Sequence, residues 1–265
     1  MKLATWNVNS IRARHERVLA WVEANRPDVL CLQELKAEDE KFPAADYRAL
    51  GYEIATFGEK TYNGVAILAR GPLGEVERGF ADGAGDPQAR FLAATAATAA
   101  TAAGGVRVMC AYAPNGEAVG SEKFAYKLAW FERLRAYLAA RVRPGSAAVL
   151  CGDLNVAPEP IDVHDPALWE GRVLYSAEER AALARAVGAA GLVDVIRRLH
   201  PEDRIYTWWD YRQLAFPRNL GLRIDHVLAT PALAARATAA RVDREARKGK
   251  LPSDHAPVVV ELAEA

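Results

Sequence analysis

Apolar residues recur along this chain in two rhythms. Short, nearly unbroken apolar runs cover residues 3–6, 29–32, 64–69, 91–98, 106–112, 147–151, 224–229 and 258–262. Runs of this length bounded by turn-forming residues predict buried strands. Between them the spacing becomes helical. Residues 12–25 carry Val18, Leu19 and Val22 on one face, with Pro27 as the stop. Residues 123–143 bring Leu128, Phe131, Leu134, Tyr137, Leu138 and Val142 onto a helical period that Pro144-Gly145 ends. A third helix is expected over 177–190. It opens at Ser176-Ala177-Glu178-Glu179, which has the form of a capping box, and Gly191 breaks it.

The alanine-rich tract 93–103 favours helix by propensity alone. Gly104-Gly105 followed by Val106-Arg107-Val108-Met109-Cys110 instead reads as a hairpin turn with its return strand, so the first half of the tract is assigned to a strand. No Pro- or Ser-rich linker divides the 265 residues. The expectation is one domain over 1–265, with two packed sheets, helices on the outside and a cleft shared by the two halves.

Composition narrows the class without naming it. About half the residues are apolar (51%) and 26% are charged, the balance of a globular chain with a sizeable core. Formal net charge is zero, so a nucleic-acid partner would need a local basic face. No apolar run is long enough to span a bilayer, and Met1-Lys2-Leu3-Ala4-Thr5-Trp6-Asn7 reads as a strand rather than a signal peptide. Cys31, Cys110 and Cys151 each fall within a strand-like run without ligand spacing. They are expected as buried small hydrophobes in a reducing cytosol.

The polar residues that interrupt this pattern stand at strand ends. Asn7 closes the first strand and Glu34 the second, oxygen donors of the kind a magnesium site uses. In Gly152-Asp153-Leu154-Asn155 the acid and the amide alternate along an extended backbone, so both project to one face. Asp254-His255 pairs a carboxylate with the side chain best suited to sharing a proton near neutrality, and Asp225 is an acid able to hold that imidazole in one tautomer. His226 points to the opposite face, toward packing or surface. Tyr112 and Asn115, at the turn after residues 106–112, offer a phenol and an amide to a phosphate oxygen. Each has a plainer reading: a solvated loop acid for Glu34, turn formers for Asn7 and the Asp153 tetrad, a capped turn for Ser253-Asp254, a rim aromatic for Tyr112. Together they favour metal-assisted attack of water on a phosphoester, since no nucleophilic Ser or Cys accompanies them.

The ordered set of motifs closely resembles the bacterial exonuclease III family of the endonuclease/exonuclease/phosphatase superfamily. It comprises Trp6-Asn7-Val8-Asn9-Ser10-Ile11-Arg12-Ala13-Arg14, Pro27-Asp28-Val29-Leu30-Cys31-Leu32-Gln33-Glu34, Asn63-Gly64-Val65-Ala66-Ile67-Leu68 and Tyr112-Ala113-Pro114-Asn115-Gly116. It continues through Gly152-Asp153-Leu154-Asn155, Gly191-Leu192-Val193-Asp194, Trp208-Trp209-Asp210-Tyr211-Arg212, Gly221-Leu222-Arg223-Ile224-Asp225 and Ser253-Asp254-His255-Ala256-Pro257, nearly end to end.

The resemblance implies a four-layer α/β sandwich and dependence on Mg²⁺, with Mn²⁺ able to substitute. It also implies cleavage of double-stranded DNA at abasic sites and 3′ ends by a monomeric cytoplasmic enzyme. By position, Asn7 and Glu34 match metal ligands, with Asp153, Asn155 and Asp254 close to the same ion. Asp153 matches the group that activates water, Asn155 its orienting partner, His255 backed by Asp225 the contact to the scissile phosphate, and Tyr112 a phosphate-binding phenol. Trp208, Leu222 and Ile224 match a pocket for a flipped abasic sugar, with core packing as the alternative. Arg12, Arg14, Lys123, Lys127, Arg212, Arg218 and Arg223 are candidates for backbone phosphate contacts, with charged surface as the alternative.

The proline-rich segment 158–166 and the loop 117–122 depart from the family pattern, which leaves the balance of endonuclease and exonuclease open. Two other functions compete. A phosphodiesterase of this fold acting on phosphoinositides or sphingomyelin would lack the Trp208 and Gly221 segments. A non-catalytic nucleic-acid-binding regulator would lack some of Glu34, Asp153 and His255.

Overall fold

The computed structural model describes residues 1–99, 105–143 and 145–263. Its strands are β1 (Lys2–Asn7), β2 (Val29–Gln33), β3 (Glu53–Phe57), β4 (Val65–Ala69), β5 (Leu73–Arg78), β6 (Phe91–Ala96), β7 (Val106–Tyr112), β8 (Ala148–Asp153), β9 (Val193–Asp194), β10 (Asp225–Ala229), β11 (Ala237–Val242) and β12 (Val258–Leu262). The α-helices are α1 (Ile11–Asn25), α2 (Ala44–Ala49), α3 (Glu122–Arg141), α4 (Pro166–Trp169), α5 (Ala177–Ala189), α6 (Val195–Leu199) and α7 (Pro231–Ala235).

The strands form two six-stranded sheets, ordered β11-β12-β1-β2-β4-β3 and β5-β6-β7-β8-β10-β9. At the middle of each lies one parallel pair, β1 with β2 and β7 with β8, and every other neighbour is antiparallel. A parallel pair needs a long crossover, supplied by α1 in the first half and α3 in the second. Burial of both faces explains why the central strands read as unbroken apolar runs rather than as alternating ones. Leu3, Val29, Cys31, Ile67, Val108, Cys110, Val149 and Cys151 meet in the core between the sheets. On the outer face of the first sheet, Trp6, Leu30 and Leu32 pack against Val18, Trp21 and Val22 of α1. On the second, Met109, Ala111 and Leu150 pack against Trp130, Leu134 and Leu138 of α3 and Leu183 of α5. The layers therefore run helix, sheet, sheet, helix, the expected four-layer sandwich.

All eight expected strands are present. The three long helices start and stop within two residues of expectation, α1 at Arg26, whose backbone is left-handed, and α5 from the Ser176–Glu179 capping box. The run expected to 98 ends as β6 at Ala96. Residues 100–104, the end of the alanine tract and Gly104, and Pro144 lie outside the described residues. Gly105 has φ +73°, and a Cβ there would stand 2.7 Å from the Ala96 carbonyl oxygen, so this turn requires glycine. The three cysteines are free and buried. No helix among the described residues is long and apolar enough to cross a membrane.

Candidate active site

The polar strand ends converge at one end of the sandwich. Asn7 ends β1, Glu34 follows β2, Tyr112 ends β7, Asp153 ends β8 and Asp225 begins β10. Register brings the second-sheet members together: Asp153 pairs with Tyr112 on one side and with Asp225 on the other. The approach of β7 to β8 depends on Gly152, where any Cβ would lie 1.9 Å from the Ala111 carbonyl oxygen. The turn before β12 docks from the first sheet. Ser253 Oγ donates to the Asn7 carbonyl (2.7 Å) and Trp6 Nε1 to the His255 carbonyl (3.2 Å).

Asn7 bridges the two sheets, its Nδ2 donating to Glu34 Oε1 (2.8 Å) and to Asp153 Oδ2 (2.9 Å). Glu34 also pairs with Lys36 at 3.0 Å. Asp153 Oδ1 accepts the Asn155 amide at 2.9 Å. Asn155 has a left-handed backbone (φ +51°) and donates through Nδ2 to the Ala113 carbonyl (2.9 Å), while its Oδ1 accepts from Asn115 (3.3 Å). His255 stands between two acids, with Nδ1 2.8 Å from Asp225 Oδ2 and Nε2 3.6 Å from Asp153 Oδ2.

The electrostatics follow from burial and crowding. Burial works against charge on His255, but Asp225 first and then Asp153 outweigh it, pushing the imidazole up to about 10. Burial, opposed by His255 and reinforced by Asp225 and Glu34, pushes the Asp153 carboxyl up to about 7. Tyr112 is driven upward by burial and by the Glu34 and Asp153 charges. At neutral pH His255 is an imidazolium, and its pairing stabilises the fold fully below its unfolded value near 6.5; that contribution is lost as pH rises through about 10. In Asp225→Asn the His255 titration should fall back toward 6.5, followed by ring-proton NMR. An unmoved titration would mean that Asp153 alone holds the charge.

Glu34, Asp153 and His255 each offer an atom within 4.8 Å of the others; with His255 protonated, the two carboxylates are the atoms free to meet a metal ion. Two carboxylates flanked by an amide suit a hard cation, which would offset both the burial and the neighbouring acids that raise Asp153. Asp254 sits apart from this group, its oxygens accepting from Asn9 Nδ2 (2.9 Å) and Trp208 Nε1 (3.0 Å).

Several expected substrate contacts are corrected by burial. Arg223 is buried, its guanidinium bonded to Asp162 (2.7 and 3.0 Å), Asp194 (2.7 Å) and His226 (3.2 Å), and so faces the interior rather than a phosphate. Lys127 is likewise buried against Glu179. Leu222 and Ile224 are buried with Val163, Leu174 and Tyr175, as core packing rather than the wall of an open pocket. Of the three aromatic and aliphatic pocket candidates only Trp208 reaches the surface. Arg12, Lys123, Arg212 and Arg218 are exposed, Lys123 pairing with Glu117 and Arg212 with Asp210. Arg14 donates to the Asn9 carbonyl and, at 3.2 Å, to the Tyr211 hydroxyl. His226 is packing, as one of its two alternatives had it.

Grooves flank the site. One of about 740 Å³ passes from Glu34 and Tyr112 to Arg90, Asn115 and Lys123, and one of about 510 Å³ lies by Trp208 with Trp169, Arg172, Arg212 and Arg218. No motif in the sequence marks Arg90, whose guanidinium lies 4.7 Å over the Tyr112 ring; the pairing of β6 with β7 brings them together. Nor does spacing alone mark Asn9 and Lys36, two residues beyond Asn7 and Glu34, which bond each other at 2.6 Å.

The model of the Endonuclease/Exonuclease/phosphatase family matches residues 4–255, from β1 to the His255 turn. The chain belongs to this family. It is 34% identical to exodeoxyribonuclease III of Haemophilus influenzae over 99% of this chain and 100% of that protein. Among solved structures, an AP endonuclease from Archaeoglobus fulgidus superposes with a TM-score of 0.93 at 43% identity, covering 99% of both chains. A 3′ phosphatase from Neisseria, solved bound to a product DNA hairpin, superposes equally well, with a TM-score of 0.93, 43% identity and 99% of both chains covered. For an endonuclease/exonuclease/phosphatase family member, full-length coverage extends the likeness in fold across both sheets.

Proposed function

We propose that the chain is a metal-dependent DNA-repair phosphodiesterase. It cuts the backbone of duplex DNA 5′ to abasic sites and trims 3′ ends, as a single-domain, monomeric, cytoplasmic enzyme. The observation that supports this most is the junction of Asn7, Glu34, Asp153, Asp225 and His255 across two sheets, in a chain that runs end to end with an exodeoxyribonuclease III and an AP endonuclease.

Glu34 and Asp153, with Asn7 between them, are the residues that would hold Mg²⁺ or Mn²⁺, and the bound ion would neutralise charge on the phosphate oxygens and the departing 3′ oxygen. The remaining chemistry belongs to the side chains. Asp153 takes the proton of an in-line water, and the Asn155 amide on Oδ1 keeps its carboxylate in one orientation. His255 donates from Nε2 to a non-bridging phosphate oxygen while Asp225 holds Nδ1. Tyr112 and Asn115 contact the phosphate from the second sheet. Trp208, Arg12, Arg14, Lys123, Arg212 and Arg218 border the path of the DNA, and Asp254 acts through Asn9 and Trp208.

Duplex DNA carrying one abasic-site analogue should be nicked 5′ to the lesion, and a blunt or 3′-phosphate duplex should be processed from its 3′ end. Both reactions should stop in EDTA and return with Mg²⁺. No cleavage of any of these substrates with either metal would refute the proposal.

A further inference from the structure

Lys127 was expected on the DNA face, yet its side chain has no exposure to solvent, and neither has its partner Glu179. An ammonium is strongly hydrated and has three protons to place. Here each finds an acceptor: the Asn115 carbonyl at 3.1 Å, the Asn155 carbonyl at 2.7 Å, and the Glu179 carboxylate. Glu179 is anchored in turn, its other oxygen accepting from the Ser176 amide (2.7 Å) and hydroxyl (2.9 Å) at the start of α5. Burial lowers the Lys127 ammonium from its usual range, and Glu179 acts against that loss of charge.

A buried ion pair is a poor source of net stability, because desolvation of both partners offsets their attraction. What this one does is join four segments of chain: α3, the start of α5 and two turns. The carbonyls it holds belong to Asn115 and Asn155, in the turns that leave β7 and β8 toward the site. Asn155 is left-handed at φ +51°, a conformation asparagine adopts more readily than other side-chain-bearing residues, and the Lys127 ammonium holds the carbonyl of that turn at 2.7 Å. Its amide is the donor to Asp153 Oδ1, and its side chain is the acceptor for Asn115. The Asn115 turn is closed over the lysine stem, since a Cβ on Gly116 (φ +93°) would lie 3.1 Å from Lys127 Cδ.

We infer that Lys127, fixed by Glu179, is a positioning residue for catalysis: it locks the Asn115 and Asn155 turns so that the Asn155 amide aims the Asp153 carboxylate at the reacting water. The inference rests on the proposed phosphodiesterase activity. Lys127 touches no substrate, so its loss should lower kcat and leave KM for DNA nearly unchanged. Outer partners that orient reacting groups typically cost about 10–100-fold when removed.

The test compares the wild-type protein with Lys127→Arg, Lys127→Met and the double variant Lys127→Met/Glu179→Leu, on abasic and 3′-phosphate duplexes with Mg²⁺. Thermal midpoint and metal-free DNA affinity are measured alongside. Lys127→Met should lose about 10–100-fold in kcat with KM within about twofold. The double variant removes the unpaired buried acid and should regain thermal stability without regaining kcat, because the two carbonyls still lack their donor. Lys127→Arg, which keeps the donors, should recover most of the rate. The inference is overturned if kcat follows thermal stability across the series, so that the double variant is as active as wild type, or if folded Lys127→Met stays within twofold of wild type. Should Lys127→Met not fold, the same comparison between the double variant and Lys127→Arg decides. An inactive wild-type protein would instead overturn the phosphodiesterase reading.

Discussion

Asp153→Asn should lower kcat by about two to four orders of magnitude, the range that a positioned general base supplies, while the affinity for duplex DNA measured without metal changes only a few-fold. The substitution preserves volume, and an asparagine oxygen can still accept the Asn155 amide that now bonds Oδ1 at 2.9 Å. It removes the basic oxygen that faces Asn7 at 2.9 Å and His255 at 3.6 Å. It also takes one carboxylate from the group that can hold a cation, so part of the loss should reappear as a higher metal requirement. A metal titration at saturating DNA separates the two contributions. A deficit below about tenfold at saturating metal would assign the proton transfer to another group.

The second large effect is on stability. Arg223→Leu should destabilise the protein by about 3–5 kcal/mol, the cost of leaving buried charges without their partner, read as a shift of the urea midpoint. Arg223 joins Asp162, Asp194 and His226, with Arg197 reaching Asp162 from α6 at 2.6 Å. Burial alone would raise the Asp194 carboxyl; Arg223 outweighs it and holds that group well below the ordinary carboxylate range. A depressed acid contributes stability that is complete above its unfolded value near 3.8 and is lost as pH falls. Without Arg223 the same buried carboxyl would titrate upward. The gap between wild type and variant should therefore be widest near neutrality and narrow below about pH 4. A gap that does not depend on pH would locate the damage in packing around Leu222 and Ile224 instead.

Legibility in the sequence divided along the sheets themselves. All eight strands expected from apolar runs lie inside a sheet, and the four that escaped, β3, β5, β9 and β11, are the four edges. An edge strand has one neighbour and open flanks, so it carries residues such as Gly74, Glu75 and Glu77 in β5 or Ala237, Thr238 and Ala239 in β11, and its signal fades into that of a loop. The candidate site was legible as a list because its members stand next to strand ends. Their mutual distances were not, because Asn7 meets Asp153 and His255 meets Asp225 only through the packing of one sheet on the other. The lysine misassigned to the surface had a signal of its own. Lys127 falls in the apolar stripe of α3 between Phe124 and Trp130-Phe131, all buried, where a charge must have a buried partner.

The chain's last strand also sets a schedule. β12 slots between β1 and β11, and the turn before it delivers His255, whose carbonyl accepts from Trp6 across 249 positions of sequence. A ribosome adding about 5–20 residues per second needs on the order of 10–50 s to cover that span. Through all of it the emerging polypeptide exposes the flank of β1, and Asp153 and then Asp225, once made, wait without their imidazole. Asp153 and Asp225 thus meet their imidazole only when the turn before β12 docks, so the active end is the last part of the sandwich to close.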